Sequence, residues 1–262
     1  MINNIKIFGC SICFLALINF ALGNNPNPNI KTLNFKSIDN LEITADWYSI
    51  PDSTAPIIIL YHQAGWSRGE YIEIAPKLNV LGFQCLAVDQ RSGGEINDII
   101  NKTNSQALLA GLSTNYLDAL PDLIAALNFI HKLYPENKII LWGSSYSSSL
   151  VLKVAADNQK IVSGVLSFSP GEYFERFGKS SNFIQSSAQN IICPAFITSA
   201  SNEHGQWKQI FESIPGTQKT YFLPQTAGNH GSRALWEKFS DNDQYWQAVI
   251  MFLSQFKESK SE

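Results

Sequence analysis

A serine that acts as a nucleophile needs a hydroxyl held clear of its neighbours, a base within hydrogen-bond reach, and a carboxylate to orient that base. The segment Leu141-Trp142-Gly143-Ser144-Ser145-Tyr146-Ser147-Ser148-Ser149-Leu150 can supply the first of these. It follows an apolar run that reads as a strand and leads into a helical pattern. Small residues on both sides of Ser145 allow a sharp turn between the two and hold the hydroxyl out at the edge of a sheet. The spacing is that of G-x-S-x-G except at its last position, where Ser147 stands in place of glycine. The same serines would also serve as a helix N-cap, so the segment alone leaves both readings open. For the base there are four histidines, His62, His131, His204 and His230. His131 falls in a helical pattern, His204 adjoins a carboxylate, Glu203, and His230 sits in a Gly-flanked loop, Gly228-Asn229-His230-Gly231. A further carboxylate, Glu172, follows another strand-like run.

These side chains can meet only if the elements that carry them share one edge. Residues 33–39 (LNFKSID) and 41–50 (LEITADWYSI) alternate apolar and polar side chains about an Asp39-Asn40 turn, which predicts an antiparallel hairpin. The pattern then changes. Residues 57–61 (IIILY), 83–88 (FQCLAV), 138–142 (KIILW), 162–168 (VSGVLSF) and 195–198 (AFIT) are short, mostly continuous apolar runs, as expected for strands buried on both faces of a parallel sheet. Helical spacing falls between them at 71–81, 116–133 and 150–156, then at 207–214, with a strand at 219–223 and a last helix over 244–256. Alternating β and α units predict an α/β fold with a mostly parallel, doubly wound sheet, helices on both faces and the antiparallel hairpin at its N-terminal side. Residues 170–190 have no clear period and read as a lid, a binding loop or a plain surface loop.

The serine segment and Tyr61-His62-Gln63-Ala64-Gly65-Trp66, directly after the first buried run, resemble the α/β-hydrolase family, particularly its dienelactone-hydrolase-like and small esterase members. The resemblance covers nearly all of the chain after residue 23. It implies that Ser145, the third residue of its motif, is the nucleophile, and that Tyr146 and either Gln63 or Ala64 offer main-chain N–H groups as an oxyanion hole. Gln63 replaces the glycine usual in that loop, which leaves open the choice between the two peptide groups. His62 is implied to support the loop. The family order of serine, acid, histidine gives His230 as base and Glu203 as its acid, with Glu172 as the alternative acid. Asp89-Gln90-Arg91-Ser92-Gly93-Gly94 resembles the family's Asp-x-Arg-Gly loop, where Asp89 and Arg91 would brace neighbouring loops. The implied chemistry is acyl transfer to water from a small or medium ester, with a peptide or amide bond as second choice. Ser147 and Gln63 also suit a non-catalytic exported binding protein that keeps the scaffold.

The 262 residues are 45% hydrophobic and 16% charged, enough apolar material for one large α/β domain. A net charge of −3 provides no basic field for counterion release, which argues against nucleic acid as a partner. No Cys/His cluster has metal-ligand spacing and Gly93-Gly94 lacks a nucleotide-loop pattern, so no cofactor is expected. Lys6 followed by the apolar run 7–22 reads as a secretory signal cleaved after Gly23, leaving 24–262 as a secreted or periplasmic domain without stable membrane insertion. Cleavage would remove Cys10 and Cys13. Cys85 and Cys193, in different strand regions, are expected to be small buried side chains.

Overall fold

The computed structural model describes residues 29–257; the expected signal segment and its two cysteines lie outside that range. Strands β1 (Asn29–Lys36) and β2 (Glu42–Ser49) form the expected antiparallel hairpin. There follow β3 (Ile57–Tyr61), α1 (Ile74–Val80), β4 (Gln84–Val88), a short hairpin of β5 (Glu95–Ile96) and β6 (Ile99–Ile100), α2 (Lys102–Leu109) and α3 (Leu120–Leu133). The second half runs β7 (Ile139–Ser144), α4 (Tyr146–Asp157), β8 (Val162–Phe168), α5 (Phe183–Ala188), β9 (Ala195–Thr198), α6 (His204–Ser213), β10 (Lys219–Phe222) and α7 (Asn242–Leu253). The main sheet has eight strands in the order β1-β2-β4-β3-β7-β8-β9-β10, antiparallel at β1/β2 and β2/β4 and parallel elsewhere. This is the α/β-hydrolase fold that the resemblance implies.

Alternation along the central strands builds two cores. Ile57, Ile59 and Tyr61 of β3, with Ile139 and Leu141 of β7, pack with residues of α3, α4, α5 and α6. Ile58, Leu60, Ile140 and Trp142 point the other way, against α1 and α7. Both faces are therefore apolar, which is why these strands read as continuous hydrophobic runs.

Register is what assembles the site. Ser144, Phe168, Thr198 and Phe222 are paired in one row across β7, β8, β9 and β10, and Tyr61 of β3 pairs with Gly143 one residue back. The loops after all five strands thus leave the sheet at nearly the same level, its carboxyl edge.

The structure departs from the sequence reading in a few places, each for a physical reason. Helix α4 begins at Tyr146, not at 150, because Ser147, Ser148 and Ser149 are helical and bond their hydroxyls to Tyr61 O, Ser145 O and Gly171 O. The helix expected at 71–81 is split into a 3₁₀ turn, Arg68–Tyr71, and α1. Residues 170–190 hold the short helix α5, and residues 95–109 hold β5, β6 and α2, which periodicity does not reveal in such short pieces.

Candidate active site

Ser145 occupies the turn between β7 and α4 with φ 59° and ψ −124°, a backbone conformation that ordinary L-residues avoid. The turn is tight because β7 and α4 touch: a Cβ on Gly143 would come within 2.5 Å of Ser147 O and Ser148 Cα. Ser147, which replaces the expected glycine, fits by bonding. Its hydroxyl donates to Tyr61 O at 2.7 Å and accepts from Ser144 N–H at 2.9 Å.

His230, in the loop after β10, places Nε2 2.8 Å from Ser145 Oγ and Nδ1 2.5 Å from Glu203 Oε1. A carboxylate oxygen can only accept, so Nδ1 carries the ring proton and Nε2 presents a lone pair to the serine. Glu203 Oε2 accepts from the Ser169 hydroxyl at 2.7 Å and from Ala200 N–H at 3.2 Å. Burial works against the Glu203 carboxylate, but the bonds from His230 and Ser169 and the nearby imidazole outweigh it and hold its pKa below the ordinary value. Ser169 Oγ also accepts from Gly231 N–H at 2.9 Å, so one hydroxyl ties the acid to the histidine loop. Gly231 cannot carry a side chain: its φ is 72° and a Cβ would sit 2.5 Å from Ser144 Oγ.

Glu172 is elsewhere. Its two oxygens accept from the Ile184 and Gln185 N–H groups at 2.9 and 2.7 Å and cap α5, so it contacts neither Ser145 nor His230. Of the two peptide groups considered for an oxyanion hole beside Tyr146, Gln63 is engaged: its N–H donates to Glu70 Oε2 at 2.8 Å. No bond takes up the Ala64 N–H among the described residues. The Tyr146 N–H, as the first of α4, has no intrahelical acceptor. Of the two alternatives, the Gln63 N–H is thus already taken by a buried carboxylate and the Ala64 N–H is the one left without an acceptor among the described residues.

His62 is fully buried, with Nδ1 against Gln63 O at 2.8 Å and Nε2 accepting from Gln90 N–H at 3.1 Å. Burial pushes its pKa down to about 4, so it is a neutral brace. His131 lies on α3, and His204 packs edge-on against Trp207. Arg91 pairs with Asp39 and Asp122, while Asp89 pairs with Arg68, which also pairs with Asp46. Both therefore brace loops. Cys85 and Cys193 are free.

Tyr146 and Phe174 are fully buried; the Tyr146 hydroxyl donates to Ser92 O at 3.0 Å, so neither ring faces open solvent. Tyr173 lies beside the Ser145 side chain and donates to Ser169 O at 2.8 Å. Tyr173 is among the side chains the sequence suggests as pocket liners, with Trp66, Tyr146 and Phe174, whereas Ser169 and Glu70 are the residues of the site that motif reading missed. Ser169 directly follows β8 and precedes a loop without periodicity, and Glu70 follows the loop after β3 by a few residues. Two surface clefts, about 310 Å³ between β2 and α2 and about 420 Å³ between β10 and α7, include none of Ser145, Glu203 and His230 in their walls.

A family model described as serine aminopeptidase, S33 matches residues 52–175, from before β3 to just beyond the Ser145 turn and β8. No curated protein matches the chain. Among solved structures, an esterase of Pyrococcus furiosus superposes with a TM-score of 0.66 at 18% identity, over 87% of this chain and 93% of the other. A dienelactone hydrolase from Anabaena variabilis gives 0.68 at 15% identity, over 88% and 99%. A carboxyl esterase from Bacillus coagulans gives 0.65 at 13% identity, over 87% and 98%. At such identities the likeness is one of fold, and it spans nearly the whole of each neighbour. Together with the sheet order, these similarities show that the chain has the α/β-hydrolase fold, and its segment 52–175, which holds the Ser145 turn, is similar to the serine aminopeptidase family.

Proposed function

We propose that the protein is a serine hydrolase that cleaves a small or medium carboxylic ester through an acyl-enzyme intermediate. The observation that carries this reading is the continuous relay from Glu203 Oε1 through His230 to Ser145 Oγ, at 2.5 and 2.8 Å. In the forward step Ser145 Oγ attacks the ester carbonyl while His230 Nε2 takes its proton. The carbonyl oxygen becomes an oxyanion facing the Tyr146 and Ala64 N–H groups. The tetrahedral adduct expels the alcohol, which receives the proton from Nε2, and water repeats the sequence on the acyl-serine. Glu203 keeps the tautomer and stabilises the imidazolium without itself taking the proton.

The choice of an ester is supported by the esterases among the fold neighbours. A peptide or amide substrate is the second reading, favoured by the description of the matching family model. The reading extends to an exported enzyme, on the apolar run 7–22, and N-terminal sequencing of the mature chain tests that part.

A series of 4-nitrophenyl esters of increasing acyl length, run beside aminoacyl-4-nitroanilides, tests the chemistry and its class. We expect ester turnover that declines with chain length and drops by at least about 10⁴-fold in Ser145→Ala and in His230→Ala. Turnover of anilides alone would transfer the protein to the peptidase reading. A folded wild type that turns over neither would leave the non-catalytic scaffold.

A further inference from the structure

Glu70 is a fully buried carboxyl group that acyl transfer, as set out above, does not use. It lies in the Arg68–Tyr71 turn and touches three parts of the site at once. Its Oε2 accepts from the Gln63 N–H at 2.8 Å and its Oε1 from the Ser144 hydroxyl at 2.7 Å. Ser144 Oγ in turn accepts from the Ser232 N–H at 2.8 Å. One carboxylate thus links the oxyanion loop, the residue before the nucleophile, and the loop that carries the base. The Gln63 side-chain nitrogen lies nearby as a further donor; it is buried and has no partner of hydrogen-bond geometry among the described residues.

We propose that Glu70, as a carboxylate, is a positioning residue of the hydrolytic site, holding the His62-Gln63-Ala64 peptides so that the Ala64 N–H faces the oxyanion. The inference rests on the serine-hydrolase reading. Its physical basis is that donors face both carboxylate oxygens. A proton on Oε2 would oppose the Gln63 N–H. A proton on Oε1 would reverse the Ser144 bond, filling the second lone pair of an oxygen that already accepts from Ser232 and leaving the Ser144 hydrogen without this acceptor. The first event releases the bond that orients the oxyanion loop, and the second disturbs the residue before the nucleophile.

The protonation step falls in an accessible range. Burial pushes the Glu70 pKa up to about 7, against the Ser144 and Gln63 bonds and the nearby His230, which favour the carboxylate. The ionisable groups around it are few. His230 faces it from the loop after β10. Tyr71, on its own turn, donates to Tyr61 O at 2.6 Å and is held neutral by burial. The Arg68 guanidinium is taken by Asp46 and Asp89. Trp236, packed alongside, contributes a neutral indole N–H to Glu70 O.

The test follows the rate of labelling by a fluorophosphonate probe and kcat/KM for 4-nitrophenyl acetate from pH 5 to pH 9, for wild type, Glu70→Gln and Ser144→Ala. Thermal melts establish that each variant is folded. Activity should require both a neutral base and an ionised Glu70, so the acid limb of the wild type approaches a limiting slope of about 2. In Glu70→Gln the slope falls to about 1, and kcat at pH 8 drops by about 10- to 100-fold with KM within about twofold. Ser144→Ala removes a donor from the carboxylate and should move the upper acid-limb ionisation to higher pH; this result decides the matter if Glu70→Gln does not fold. Equal slopes in wild type and Glu70→Gln, or an acid limb unmoved in Ser144→Ala, would overturn the role of Glu70 while labelling of the wild type leaves the hydrolase reading intact. A folded wild type that takes no label at any pH would overturn both.

Discussion

Replacing Ser145 by alanine and, separately, by glycine distinguishes the strain in the turn from the loss of the hydroxyl. Both variants lose the bond to His230 and both should be inactive. They differ at Cβ, which holds Ser145 and the alanine variant at φ 59° and ψ −124°, outside the regions open to L-residues. Such a residue costs roughly 1–3 kcal/mol, and glycine relieves it. Glycine also adds freedom to the unfolded chain, a penalty of about 0.4–1 kcal/mol. The half-buried site loses little by surrendering a methyl group. The balance favours Ser145→Gly over Ser145→Ala by a central value of about 1.3 kcal/mol within a range of about 0–2.6 kcal/mol, or about 3–5 °C in Tm at the central value for a domain of this size. Paired urea and thermal melts on the two variants measure it. A glycine variant that melts at or below the alanine variant would refute the claim that the nucleophile turn stores strain.

Glu203→Gln should lower kcat/KM by about 10³- to 10⁴-fold, because an amide facing Nδ1 can stabilise the wrong tautomer. Glu172→Gln should leave kcat/KM within about threefold and cost about 1 kcal/mol through the weakened cap of α5; kinetics and melts on both variants check the assignment, and the reverse pattern would exchange the two carboxylates. Stability should also report on Glu70. Its pKa is about 7 in the folded chain and near the ordinary carboxylate value when unfolded, so between those limits the folded state holds the extra proton. Unfolding free energy therefore falls as pH rises from about 5 to about 8, by about 3 kcal/mol for this group. Denaturant titrations should show that fall diminished by that amount in Glu70→Gln, and parallel pH curves for the two proteins would contradict it.

The fold was legible because the central strands are buried on two faces, so their continuous apolar runs stand out from the amphipathic stretches of α3 and α7. The serine turn was legible for a similar reason: Gly143 answers a contact between β7 and α4 that leaves no room for a Cβ. The start of α4 was not, since Ser147 to Ser149 have helical geometry but no apolar periodicity. Helix α5 was equally hidden, because its cap is Glu172, more than ten residues upstream, and not a residue at its own N-terminus. Gln63 and Glu70 illustrate a deeper limit. Which peptide of the oxyanion loop is free depends on a carboxylate seven residues further on whose side chain is turned inward, and spacing alone does not reveal that direction.

The central claim is an activated serine at position 145, and fluorophosphonate labelling followed by peptide mass spectrometry tests it most directly. The account predicts an adduct on Ser145 that is absent in Ser145→Ala and strongly weakened in His230→Ala. An adduct on another residue, or none on a demonstrably folded wild type, would contradict it.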